Sequence, residues 1–238
     1  MGDRIERHLH ENTASLGLLF RNIILGGQDG VVNVLGIVLG VATATNDTRI
    51  VLLAGLAATF AESISMAAVA YTSTRAEIEH YESEFRKQVR EIDETPEKAR
   101  DDLREIYTGK GISGKLLEQV VGKISSNKKA WLDTMMREEL RLENPSEGMS
   151  AFWQGMLVGF SAIVGSFIPI TPFFFLTVQD SIPISLAASL ISLFVFGAYK
   201  STKTSGKWLV GGLEIMLIGG AAAFTGYLVG VLFQSPVA

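Results

Sequence analysis

Asp29 stands inside an apolar run, Arg21 to Gly40 (RNIILGGQDGVVNVLGIVLG), that is long enough to cross a lipid bilayer. On a helix, Asn22, Gly26, Asp29, Asn33, Gly36 and Gly40 follow one another at three- and four-residue steps. They therefore share one face, with Ile, Leu and Val on the other. A carboxylate at membrane depth costs at least ~2.5 kcal/mol on insertion scales, so an acid there marks a functional position unless it is bonded to a neighbouring helix. Gly26 with Gly30, and Gly36 with Gly40, let a second helix approach closely, which sets this face against protein and not lipid.

Glu62 and Met66 lie one turn apart in a second apolar run, and Glu214 lies in the last. At ~1.5 Å per residue, Asp29 is roughly 12 Å beyond Arg21, Met66 roughly 13 Å in from Arg75 and Glu214 roughly 10 Å beyond Lys207. Glu62 is one turn deeper than Met66 on the same face. Buried acids with a thioether suit a divalent transition metal, since Ca2+ and Mg2+ prefer oxygen alone. Ordinary packing is the alternative for Met66.

The charged middle of the chain repeats these ligand types. Over 76–94, Glu77, Glu84, Gln88 and Glu91 share one flank of a helix. Over 128–143, Met135 and Met136 stand four and three residues before Glu139, so both sulfurs fall near one carboxylate. Asp101, Asp102 and Glu105 add acid on a helix between them. A solvated charged surface would account for the acids alone; the Met135-Met136 doublet beside Glu139 is harder to explain that way.

Other chemistries lack material. The chain has no cysteine, and His8, His10 and His80 make no zinc-type cluster. There is no P-loop, no nucleophile–base pair, no Glu-x-x-His pair of the di-iron kind and no basic aromatic surface for nucleic acid. Neither an enzyme nor a resident cofactor is expected.

These side chains must be held by membrane helices. Of 238 residues 47% are hydrophobic, yet charges are nearly absent from 16–74 and 148–235 and crowded between 75 and 147. The pattern predicts an all-α membrane protein of five transmembrane helices, near 18–44, 50–73, 150–176, 182–199 and 208–233. A helical domain, 76–147, is inserted between spans 2 and 3, so the chain divides as 1–75, 76–147 and 148–238. Residues 1–15 read as a short amphipathic segment without the apolar core of a cleaved signal. TNDTR (45–49) reads as a tight turn. Span 2 continues unbroken to about residue 94, and Thr95-Pro96 reads as an N-cap and helix restart. Helices follow at 96–107, 114–124 and 128–143, the last ended by Pro145. The insert is too short and polar for a large core and is expected to need a partner copy. With five spans, every Lys and Arg except Arg49 falls on one side, which makes that side cytosolic: N-in, C-out, insert in the cytosol.

At this point several separated motifs, in order, resemble the vacuolar iron transporter family over about residues 20–235. They are Asp29-Gly30, Ile64-Ser65-Met66, Glu79-His80-Tyr81 and Ala130-Trp131-Leu132-Asp133 running into Met135-Met136, Glu139-Leu140 and Leu142-Glu143. Pro169, Pro172, Leu193-Phe194 and Phe196-Gly197 complete them. The resemblance implies a five-span homodimer that moves Fe2+ out of the cytosol in exchange for protons. It implies an intramembrane metal site with Asp29 and Met66 at the dimer interface, and cytosolic ligands Glu91, Met135, Met136 and Glu139. Where the family has further glutamates this chain has Gln88, Ala99 and Asp102, and Ala58 replaces a second-span glutamate for which Glu62 can substitute.

The expected metal residues are thus Asp29, Glu62, Met66, Glu91, Asp102, Glu105, Met135, Met136 and Glu139, with partners a divalent transition metal, protons and lipid. An Mn2+-preferring exporter and a membrane-anchored sensor or buffer without transport are the alternatives. Without a targeting signal, the plasma membrane of a prokaryote is expected, or the vacuolar membrane if the chain is eukaryotic.

Overall fold

The computed structural model describes residues 2–145, 149–204 and 206–234, with side chains from Gly17 onward. The described residues form helices and their connections, without a strand: α1 (Gly2–Thr45), α2 (Thr48–Glu94), α3 (Pro96–Gly109), α4 (Gly114–Ser125), α5 (Lys128–Thr134), a π-helical turn (Met135–Glu139), α6 (Ala151–Ile170), a 3-10 turn (Thr171–Phe174), α7 (Val178–Thr204) and α8 (Trp208–Leu232). Five helices are long and apolar enough to cross a membrane: α1 from Gly17, α2, α6 with its 3-10 turn, α7 and α8. The chain separates into two compact units, 1–72 with 149–238, and 73–148. The amphipathic character expected of 1–15 rests on side chains outside the described residues.

In the first unit α1 is the central helix. Val31, Val34, Leu35, Val38, Leu39 and Ala42 recur at three- and four-residue steps, and all are buried. They serve three clusters: with Val51, Ile170 and Phe173; with Leu193 and Ile215; and with Ala223. Glycine allows helices to come this close. A Cβ on Gly26 or Gly30 would overlap the α6 backbone at Val158 or Ala162, and one on Gly226 or Gly230 would overlap α1 at Gly36 or Gly40. Gly155 and Gly159 of α6 meet α2 at Ala67 and Ser63 in the same way. Hydrophobic force between helices vanishes in lipid, so contact of this kind must supply the attraction. Outward faces carry exposed Leu53, Ile64, Phe160, Ile191 and Leu217, a surface suited to acyl chains.

Helix ends follow local chemistry. Asn46 adopts a left-handed φ of 49° that terminates α1, and the Asp47 carboxylate accepts from the Arg49 N–H at 2.8 Å to cap α2. Pro169 lies inside α6, and its carbonyl accepts the Ser185 hydroxyl at 2.7 Å. Thr95 occupies the N-cap position of α3 but makes no side-chain cap; its hydroxyl donates back to the Glu91 carbonyl at 3.1 Å.

The second unit is a small helical body around Ile92, Ala99, Leu103, Val121, Trp131, Leu132 and Met135. Arg104 ties α3 to α4 by donating to both carboxylate oxygens of Glu118, at 3.0 and 3.1 Å. Asn127 caps α5 by accepting from the N–H groups of Lys129 and Ala130. The expected helix 128–143 is shorter. It passes into the π turn at Met135 and stops at Leu140, five residues before Pro145. Leu142 N–H donates to Met136 C=O and Arg141 takes a left-handed φ of 55°, a Schellman-type stop built without glycine.

A Cβ at Gly165 would overlap the Gly27 carbonyl, whereas Gly220 meets nothing nearer than Leu190 at 3.9 Å. Gly165→Ala is expected to destabilise the protein by about 1–3 kcal/mol, as overpacking does. Gly220→Ala should leave the melting temperature in detergent unchanged or slightly raised. Equal melting temperatures for the two variants would contradict close α1–α6 packing.

Candidate metal centre

Within the first unit, Asp29 and Asn33 stand one turn apart on α1 and face Glu62 of α2. The Asn33 Nδ2 donates to Glu62 Oε1 at 2.6 Å, and the Asp29 carboxyl lies within hydrogen-bonding reach of the Glu62 carboxyl. Glu62 Oε2 is buried and has no hydrogen-bond partner. Between Arg21 and Arg75 the only basic residue is Arg49, and none occurs from 142 to 199 or from 208 onward. Basic residues thus stand only at the ends of the apolar stretches, and neither Asp29 nor Glu62 has an ion pair among the described residues. An orphaned carboxylate oxygen beside a second carboxyl group in such surroundings is suited to a cation.

Counting from the flanking basic residues sets Asp29 level with Met66; the structure instead joins Asp29 and Asn33 to Glu62. Met66 follows Glu62 by one turn and is half-buried. Asn33, placed on the polar face by its spacing but given no role, proves to be the residue that orients Glu62. Its signal was the four-residue step from Asp29. Glu214 is exposed on α8.

The second unit gathers Gln88 and Glu91 of α2, Asp102 of α3 and Glu139 of the π turn. Gln88 is 5% exposed; its Nε2 lies 3.4 Å from Glu139 Oε2, and its Oε1 is buried without a partner. Glu91 is ion-paired with Lys98. Burial, then the charges of Asp102 and Glu91, hold the Glu139 carboxyl above the usual carboxylate range. Burial, then Glu91, does the same for Asp102. Glu105 is exposed at the edge of this group. The two methionines differ from the expected ligand pair. Met135 is fully buried in the apolar core beside Leu103 and Trp131, while Met136 is buried outside that cluster. Both stand one helical turn after the buried Trp131 and Leu132, and the π turn shifts the register only of the residues that follow. Among the described residues, no three His, Asp or Glu side chains of one chain converge tightly enough to hold a metal ion alone.

Comparison with known proteins adds a family. The model of the VIT family matches residues 20–231. The chain belongs to the VIT family. "Vacuolar iron transporter 1" of Arabidopsis thaliana is 31% identical over 228 residues, covering 95% of this chain and 91% of that protein. The rice protein of the same name is 29% identical, covering 95% and 92%. "Vacuolar iron transporter" of Plasmodium berghei is 30% identical, covering 90% and 82%. The resemblance drawn from the motifs is thereby established, and with five apolar helices this VIT-family chain is an integral membrane protein. The expected prokaryotic plasma membrane finds no support among these plant and Plasmodium proteins, which are named for the vacuole.

The raised carboxyls have a consequence for stability. Folding disfavours the charged form of Glu139 and Asp102, so both subtract stability at neutral pH, and the loss is relieved as pH falls through their raised values. Without metal, Glu139→Gln should melt a degree or two above wild type at about pH 7.5, with no difference near pH 4. Scanning calorimetry in chelator checks this; a variant less stable at neutral pH would contradict it.

Proposed function

We propose that this protein is a secondary transporter that moves Fe2+, with Mn2+ as an alternative cargo, out of the cytosol in exchange for protons. The observation that carries the proposal is the Asp29–Glu62 pair, set in apolar helices with one carboxylate oxygen orphaned and no basic side chain to balance it. An anchor for a sensor needs no such pair. The relatives' names support iron as the cargo. Carboxylates and a thioether accept Mn2+ by the same chemistry.

Charge balance supplies the coupling. A divalent ion neutralises two carboxylates at membrane depth; when it leaves, two negative charges in a low-dielectric setting are costly, and protons restore neutrality. Asn33 keeps Glu62 aimed at the ion whether the site is filled or empty. Met66 is the soft donor one turn away. One chain supplies too few donors for a full coordination shell and leaves Asn33 exposed, which supports a homodimer whose two-fold partner adds its own set. The distribution of Lys and Arg supports an N-in, C-out topology with the 76–147 insert in the cytosol, where Glu91, Asp102, Glu105 and Glu139 collect metal. Transport, and not catalysis, is the reading the side chains support.

Proteoliposomes carrying an internal pH dye test the proposal. Fe2+ or Mn2+ uptake should drive counter-moving protons, and Asp29→Asn or Glu62→Gln should lower the flux at least tenfold, a loss of about 1.4 kcal/mol or more at the limiting step. Metal bound in solution without flux would replace transport by the sensor reading.

A further inference from the structure

We infer that Lys98 is a tethered counter-ion that occupies the acidic group of the helical insert when metal is absent, and that a divalent ion must displace its ammonium to bind there. This rests on the reading that the insert takes up metal. The break at Thr95-Pro96 ends α2 and starts α3, bringing the first turn of α3 back beside the last turns of α2. Lys98 Nζ is thereby ion-paired with Glu91 Oε1, and its charge also acts on Asp102 and Glu139. Other basic side chains of the insert pair with acids outside this group: Lys87 with Glu84, Lys110 with Glu138 and Lys128 with Asp93. Lys98 faces three acids from three elements, Glu91, Asp102 and Glu139.

The group has room for more than an ammonium. Gln88 turns its amide nitrogen to Glu139 and leaves its carbonyl oxygen buried and unpaired, an acceptor that no protein donor meets. Glu91, Asp102 and Glu139 carry three negative charges against the one positive charge of Lys98, so the occupied state is still two charges short. The Lys98 side chain is 68% exposed and that of Glu91 only 23%. The ammonium therefore covers the acids from the solvent side and can swing away without unpacking the core. A divalent ion gains in both charge and oxygen ligands where the ammonium offers a single charge. Lys98 thus sets the metal concentration at which the insert fills.

Mn2+ binding to the full-length protein in nanodiscs, followed by the EPR signal of the free ion, tests this. Asp29→Asn with Glu62→Gln serves as the background, so that the span helices are silent. Lys98→Gln and Lys98→Met should tighten Mn2+ binding about three- to tenfold, the effect of removing one nearby charge in screened water. Lys87→Gln, which removes a charge paired elsewhere on α2, should change it less than twofold, and Lys98→Arg should resemble the parent. Lys98 variants no different from Lys87→Gln, with Glu139→Gln still weakening Mn2+, would overturn the counter-ion role alone. Glu139→Gln without effect would overturn metal uptake by the insert, and the counter-ion role with it.

Discussion

Two carboxyl groups on apolar helices are the constraint on which the structure depends. Each costs at least ~2.5 kcal/mol to place at membrane depth, and Asp29 and Glu62 do so side by side, with basic residues only at the ends of the apolar stretches. Asn33 satisfies one oxygen of Glu62 and leaves the other bare. A cation or protons must complete the charge balance. Under the proposed function, exchange between the two is the transport cycle reduced to its electrostatics.

Holding the pair requires helices that do not slide. In lipid the driving force is van der Waals contact between closely approaching backbones, and the glycines of α1, α6 and α8 provide it. The helix α1 carries its buried Val and Leu stripe, its glycines and its polar residues within one stretch of some twenty residues. The same helix that forms the core also presents Asp29. The acids of the helical insert sit under different physics: they are partly solvated, repel one another and are moderated by Lys98, so they suit loose, exchangeable capture and not a fixed site.

Much of this was legible in the sequence. Segregation of charge into 75–147 gave the five apolar helices, and unbroken three-to-four spacing past Arg75 gave α2 as one helix to Glu94. The paired glycines marked close approach in each case. Depth counting placed Met66 level with Asp29, while the hydrogen bond that joins α1 to α2 runs from Asn33 to Glu62, one turn from Met66. Which side chains meet depends on helix rotation, which counting residues from a flanking Arg does not give. The early stop at Leu140 had no glycine to announce it, since Arg141 takes the left-handed position. Burial of Met135 follows its four-residue step from Trp131, a core spacing that the ligand reading of the methionine doublet set aside. The pairing of Lys98 with Glu91 depends on how the chain turns at Thr95-Pro96, a tertiary fact.

The most direct measurement is anomalous diffraction at the manganese edge from crystals of the full-length protein grown with Mn2+. The account predicts a peak on the order of 2 Å from Glu62 Oε2, shared with Asp29. Metal bound only among Glu91, Asp102 and Glu139, with the Asp29–Glu62 pair empty, would contradict it.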